Sequence, residues 1–189
     1  MIKVDAMDTV LDQPWTVERF LAWEDRQERK HEFDGKRVIP LAAPTVAHQR
    51  IVMNLRMVLT DLVARRGIEV TQGMRLHVGK WVRYPDVTVV AGPVDQRTTM
   101  LTDAIAIFEV TSDVTSTVDY VDKLNDYTSV PSLRYYLVVE QTGIGALLLQ
   151  REPGGPWIAS AHTDGVLALP GLDVELPLAA LYDAVSFPA

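Results

Sequence analysis

Cysteine is absent from this chain of 189 residues, which removes disulfide cross-links, thiolate metal sites and a cysteine nucleophile together. The cytosol is the compartment that fits. Long apolar runs are missing too. None approaches the about 20 residues that span a bilayer, and the N-terminal Met1-Ile2-Lys3-Val4-Asp5-Ala6-Met7-Asp8 carries acids where a signal peptide needs an apolar stretch. The expectation is a soluble, unprocessed protein with no membrane partner. No G-x-S-x-G, P-loop or H-E-x-x-H occurs, and Thr142-Gly143-Ile144-Gly145 lacks the third glycine of a dinucleotide fingerprint. His31, His48, His77 and His162 are spaced unlike a zinc signature. Trp15, Trp23, Trp81 and Trp157 are too scattered for a base-stacking platform and read as core residues.

What is present fits one domain over 1–189, with residues 1–15 as an N-terminal extension, since a hydrophobic fraction of 48% can build a sizeable core. The net charge of −7 argues against indiscriminate coating of polyanions. Its distribution is uneven. Residues 26–83 hold twelve Lys and Arg against five acids, a balance of +7, which leaves −14 for the rest. A basic segment beside an acidic cluster suits a metal-dependent nuclease, and two solvated helix faces would produce the same pattern.

Thr16 reads as the N-cap of a helix over about 17–30, with Val17, Phe20 and Leu21 forming its apolar stripe. Asp34-Gly35 then turns the chain into a strand over 36–41 that pairs with the residues just before the turn. After Pro44-Thr45, Ile51, Val52, Leu55, Val58, Leu59, Leu62 and Val63 keep helical spacing until Arg65-Arg66-Gly67 ends the second helix. Residues 68–71 and 74–78 read as one strand or a bulged pair, with 81–91 as its hairpin partner. Residues 104–111 are apolar enough for a central strand buried on both faces. A helix over 118–130 followed by a strand over 134–140 implies a parallel strand pair joined by a crossover helix. Residues 144–151, 157–162 and 166–169 read as short antiparallel strands, and 178–185 as a terminal helical turn.

Pro85-Asp86 opens the run Val87-Thr88-Val89-Val90, and Glu109 closes the run Ala104-Ile105-Ala106-Ile107-Phe108. If these strands are neighbours, about 4.8 Å apart, the two carboxylates meet at one sheet edge. At about 4 Å they would repel by roughly 4 kcal/mol at an effective dielectric of 20, a conflict that a cation removes. Magnesium suits an oxygen-only pair and manganese is its natural substitute. The competing reading has Asp86 capping the Pro85 turn and Glu109 facing solvent. Lys123, on the following helix, would orient water or neutralise charge on phosphorus, and a surface pair with Asp119 is the alternative. Glu32 reaches the same place from the end of the first helix or the strand after it, unless it is one more surface charge among Arg29, Lys30 and Lys36. His48, at the start of the second helix, is a candidate phosphate contact, as is Arg50; a lone histidine is more often structural.

The chain resembles the Uma-type family of restriction-endonuclease-like domains, within the PD-(D/E)xK nuclease superfamily, from Thr16 to Val185. The matching pieces are Thr16–Glu24, Lys30-His31-Glu32, Ala47-His48-Gln49-Arg50-Ile51-Val52, Tyr84-Pro85-Asp86-Val87, Phe108-Glu109-Val110-Thr111-Ser112, Asp122-Lys123-Leu124, Pro131–Val138 and Leu176-Pro177-Leu178. Their order and spacing carry the likeness. It implies an α/β fold with a central mixed sheet flanked by helices and further antiparallel strands at the C-terminal end. It also implies a magnesium-dependent endonuclease acting on DNA, with Asp86 and Glu109 as metal ligands, Lys123 as the catalytic lysine and Glu32 as the helix-one acid. A homodimer would supply the two symmetry-related sites that cutting both strands calls for. The rival reading is an inactive nuclease-fold module that binds nucleic acid or a protein. Two departures stand out. The superfamily's usual lysine position, two after the second acid, holds Thr111, and Phe33-Asp34-Gly35-Lys36 is one residue shorter than the family's turn.

Overall fold

A computed structural model describes residues 14–64, 66–111 and 117–187, the side chains of 117–120 excepted. Of the expected N-terminal extension, only Pro14 and Trp15 fall among them. The first helix, α1 (Val17–Glu24), is capped by Thr16, whose hydroxyl oxygen accepts from the Arg19 amide at 3.2 Å. It ends well short of residue 30. The chain tightens there into i→i−3 bonds from Arg26 and Gln27, and the buried Glu24 carboxylate accepts from the His31 amide, which turns the chain into a strand. That strand, β1 (His31–Phe33), pairs antiparallel with β2 (Val38–Pro40) across the Asp34-Gly35 turn, as expected. Helix α2 (Val46–Leu62) follows its Thr45 cap and buries Ile51, Val52, Leu55 and Leu59, and Gly67 at φ +67° turns the chain beyond it.

The next stretch departs from expectation. Residues 68–78 and 81–91 do form the two arms of one long hairpin, but each arm divides between two sheets. Strand β3 (Ile68–Gln72) pairs with β6 (Val87–Ala91) in the central sheet, while β4 (Arg75–Val78) pairs with β5 (Trp81–Arg83) in a smaller one. Gly73 causes the split: at φ +57° it breaks the arm, and its amide donates to the Asp86 carbonyl across the hairpin at 3.0 Å. Asp86 therefore sits where the ribbon passes from one sheet to the other.

With β7 (Met100–Leu101), β8 (Ala106–Val110), β9 (Tyr135–Val139), β10 (Ala146–Gln150) and β11 (Ile158–His162), the central sheet has the order β11-β10-β9-β8-β6-β3 and the smaller one β2-β1-β5-β4-β7. Strands β8 and β9 are parallel, joined through α3 (Thr117–Thr128), and the other central pairs are antiparallel. The expected crossover unit and mixed sheet are both present. All five residues of β8 are buried. Ala106, Phe108 and Val110 pack in a core with α2 and the C-terminal hairpin β12 (Val166–Leu169) and β13 (Val174–Pro177), closed by a 3-10 turn over Leu178–Tyr182. Ile107 packs on the opposite face with Leu76, Trp81, Tyr127 and Tyr136. The strand's alternation of sides sends Glu109 to that second face, towards α3. Trp81 and Trp157 join this core, and Trp15 and Trp23 pack around Phe20 and Phe33, as the core reading of the tryptophans expects. Among the described residues, no helix is long and apolar enough to cross a membrane.

Candidate active site

The antiparallel register of β6 and β8 pairs Val87 with Phe108 and so sets Asp86 across from Glu109 at one end of these two interior strands. The two acids are turned to different partners. The Asp86 Oδ2 atom accepts from the Val110 amide at 2.8 Å and lies 3.2 Å from His48 Nε2, in the first turn of α2. Burial alone would lower the His48 pKa; the hydrogen bond to Asp86 and the charges of Asp86 and Glu109 outweigh it and hold the imidazole above its usual 6.5.

Glu109 is 8% exposed, so the solvent-facing alternative does not hold. Its Oε1 atom accepts from the Tyr127 hydroxyl at 2.6 Å and from Lys123 Nζ at 3.3 Å. Burial pushes this carboxyl up to about 7; the Lys123 charge opposes the rise, and the charges of Asp86 and Glu32 add to it. Lys123 Nζ also lies 3.7 Å from Glu32 Oε1, so one ammonium bridges two buried acids. The competing Asp119 side chain lies outside the described residues.

Glu32 is not a surface charge, and it is not on a helix. It sits on β1 at 1% exposure, because the short turn after Phe33 keeps its strand against β5. That turn is tight: Asp34 Oδ1 accepts from the amides of Lys36 and Arg37, and a Cβ on Gly35, at φ +89°, would meet the Lys80 side chain at 3.0 Å. Glu32 Oε1 accepts from the Tyr84 amide at 3.1 Å and Oε2 from Arg83 at 3.0 Å.

Arg83 was not anticipated. Wholly buried on β5, it joins Glu32 to Asp126 of α3, which accepts from Nε at 3.0 Å and from a terminal nitrogen at 2.7 Å. Its one signal in the sequence is a guanidinium within the otherwise apolar Trp81-Val82-Arg83. Tyr127 was missed as well, although it lies one helical turn after Lys123. Arg50 is not brought to this cluster; its guanidinium donates to the Ala184 carbonyl. The basic segment is also less available than its count implies, since Arg75 pairs with Glu24 and Asp25, Arg37 with Asp34 and Asp122, and Arg83 with Glu32 and Asp126.

One end of the central sheet thus gathers Asp86, Glu109, Lys123, Glu32 and His48 from five different elements, counting the residue that precedes β6. The profile of Uma2, described as "Putative restriction endonuclease", matches residues 17–179. The chain belongs to the Uma2 family. Among curated relatives, it is 25% identical over 175 residues to "Uncharacterized protein slr1290" of Synechocystis sp. (strain ATCC 27184 / PCC 6803 / Kazusa), covering 90% of this chain and 92% of that one. It is 30% identical over 132 residues to "Uncharacterized protein sll1609" of the same organism, covering 67% and 75%. A crystal structure of "a putative nuclease belonging to DUF820" from Anabaena variabilis ATCC 29413 superimposes with a TM-score of 0.74 at 15% identity, over 90% of this chain and 98% of that one. This Uma2 chain therefore has the restriction-endonuclease-like α/β fold. Among the described residues, no group of three or more His, Asp or Glu side chains is arranged to hold a metal ion.

Proposed function

We propose that this protein is a magnesium-dependent endonuclease that hydrolyses DNA phosphodiester bonds. One observation carries the proposal: Asp86, Glu109 and Lys123, from three separate elements, meet at one sheet end, with Glu109 raised to about 7 chiefly by burial. The donor set fits a hard cation. It is oxygen-only, and it holds two carboxylates in adjoining register, as a hard divalent ion prefers. Asp86 and Glu109 would hold magnesium, or manganese in its place, and the bound ion would supply Lewis-acid polarisation and a water of lowered pKa. Lys123, placed between Glu109 and Glu32, would orient the attacking water or neutralise charge developing on phosphorus. Arg83 holds Glu32 in place from behind. His48 contacts a phosphate at the start of α2. Two copies would cut two strands.

A second reading has its own support. Asp86 is already engaged by His48 and the Val110 amide, and no third ligand joins the pair among the described residues, as in a nuclease-fold module that binds nucleic acid or a protein without cutting. Titration calorimetry with magnesium and a plasmid-nicking assay separate the two. The nuclease reading expects heat that disappears in Asp86→Ala, and nicking that is lost in Lys123→Ala but kept in Arg97→Ala, which breaks an exposed ion pair with Asp95. DNA binding without metal, and no nicking at any magnesium or manganese concentration, would support the module instead.

A further inference from the structure

Glu109 presents its two carboxylate oxygens unequally. Oε1 is taken by two donors, the Tyr127 hydroxyl at 2.6 Å and Lys123 Nζ at 3.3 Å, whereas Oε2 accepts no hydrogen bond among the described residues. We propose that Tyr127 is a positioning residue for a divalent cation: its hydroxyl pins Oε1 and so aims Oε2 at the ion. The inference rests on the metal reading of this site. It assigns a task to a residue that no motif in the sequence singled out.

The surroundings of Tyr127 favour this role over simple packing. Its ring is fully buried in edge-to-face contact with Trp81, at 5.7 Å between centroids, and with Tyr136, at 5.2 Å. Those contacts fix the ring, so its hydroxyl has one direction to take, and Glu109 lies there. The preceding residue, Asp126, is held by two hydrogen bonds from Arg83, which anchors α3 against the small sheet within the same helical turn. Lys123 and Tyr127 then reach the same oxygen from successive turns of one helix, a rigid pair of donors. An outer hydrogen bond that orients a carboxylate ligand commonly accounts for 10–100-fold in metal affinity, roughly. Magnesium demands near-octahedral geometry, whereas calcium tolerates a looser one, so a loosened Glu109 should weaken magnesium more than calcium.

Tyr127→Phe keeps the ring and deletes only the hydroxyl. In titration calorimetry, its magnesium affinity should fall about tenfold or more, and its calcium affinity should fall clearly less. Loss of packing alone would not move that ratio. Equal magnesium affinity in native protein and Tyr127→Phe overturns this inference and leaves the metal site standing. No magnesium heat in the native protein overturns the metal reading, and this inference with it. Should Tyr127→Phe not fold, a crystal of native protein soaked with manganese reads the same point. Ligation through Oε2, with Oε1 on Tyr127, supports the assignment; ligation through Oε1 overturns it.

Discussion

Replacing Arg83 with methionine leaves two acids facing an apolar side chain of similar length, and only one of them has access to water. The guanidinium is wholly buried and holds Glu32 at 3.0 Å and Asp126 at 2.7 Å. At those separations each contact contributes roughly 5–6 kcal/mol of attraction at an effective dielectric of 20, most of it offset by the desolvation of the charges. Removing Arg83 leaves Glu32 with only the more distant Lys123 ammonium, at 3.7 Å, and the usual cost of breaking a buried pair is about 3–5 kcal/mol. For a domain of this size, that lowers the melting temperature by roughly 6–20 °C. The Glu32 side chain is 2% exposed and that of Asp126 16%, so the loss should trace mainly to Glu32. Urea and thermal melts at neutral pH, followed by circular dichroism, measure this directly. Arg83→Met/Glu32→Gln should recover more than half of the lost stability, because glutamine still accepts from the Tyr84 amide. Arg83→Met/Asp126→Asn should recover little. A single-variant loss under about 1 kcal/mol, or a better rescue by Asp126→Asn, would refute this account of the buried triad.

Three further outcomes are expected. The folded-state carboxyl of Glu109 sits near 7, above its ordinary 4.5, so between those values the folded protein binds the extra proton and metal-free stability falls as pH rises. Urea melts in chelator should show that decline in native protein, a shallower one in Glu109→Gln, and a more stable Glu109→Gln at pH 8. His48 should titrate above 6.5 by NMR in metal-free protein, and Asp86→Asn should bring it down, because burial is the largest influence left; an unchanged midpoint would mean that Asp86 is not its partner in solution. Gly73→Ala places a Cβ at φ +57° in otherwise open surroundings, with only Lys30 Nζ nearby at 3.7 Å, so about 1–2 kcal/mol of backbone strain should appear in urea melts.

Much of the architecture was legible because its elements have strong periodicity. Helix α2 repeats its apolar residues at helical spacing over four turns, and β8 is apolar enough to leave only a buried strand as a reading. The division of the long hairpin was not legible. A glycine between two strand-like runs signals a bulge as readily as a break, and the break depends on which sheets the flanking residues join. Strands β1, β5 and β7 have two or three residues, too few for any period to show. The convergence of Asp86, Glu109 and Lys123 was legible because one acid opens an apolar run, the other closes the next, and the lysine follows on a helix. The burial of Glu32 was not, since its sequence neighbours are Lys30, His31 and Lys36, while its partner Arg83 lies 51 positions away. Charges paired over such distances look like surface charges until the fold brings them together.

At Gly73 and Asp86 the ribbon crosses from one sheet to the other. Because the same two arms are woven into both sheets, neither sheet can slide without dragging the residue at their crossing. A substitution on β7, at the edge of the smaller sheet opposite β2, can therefore detune the cluster by tilting this shared spar. Engineering or evolution that works on that rim is adjusting the jaws of the tool from its handle.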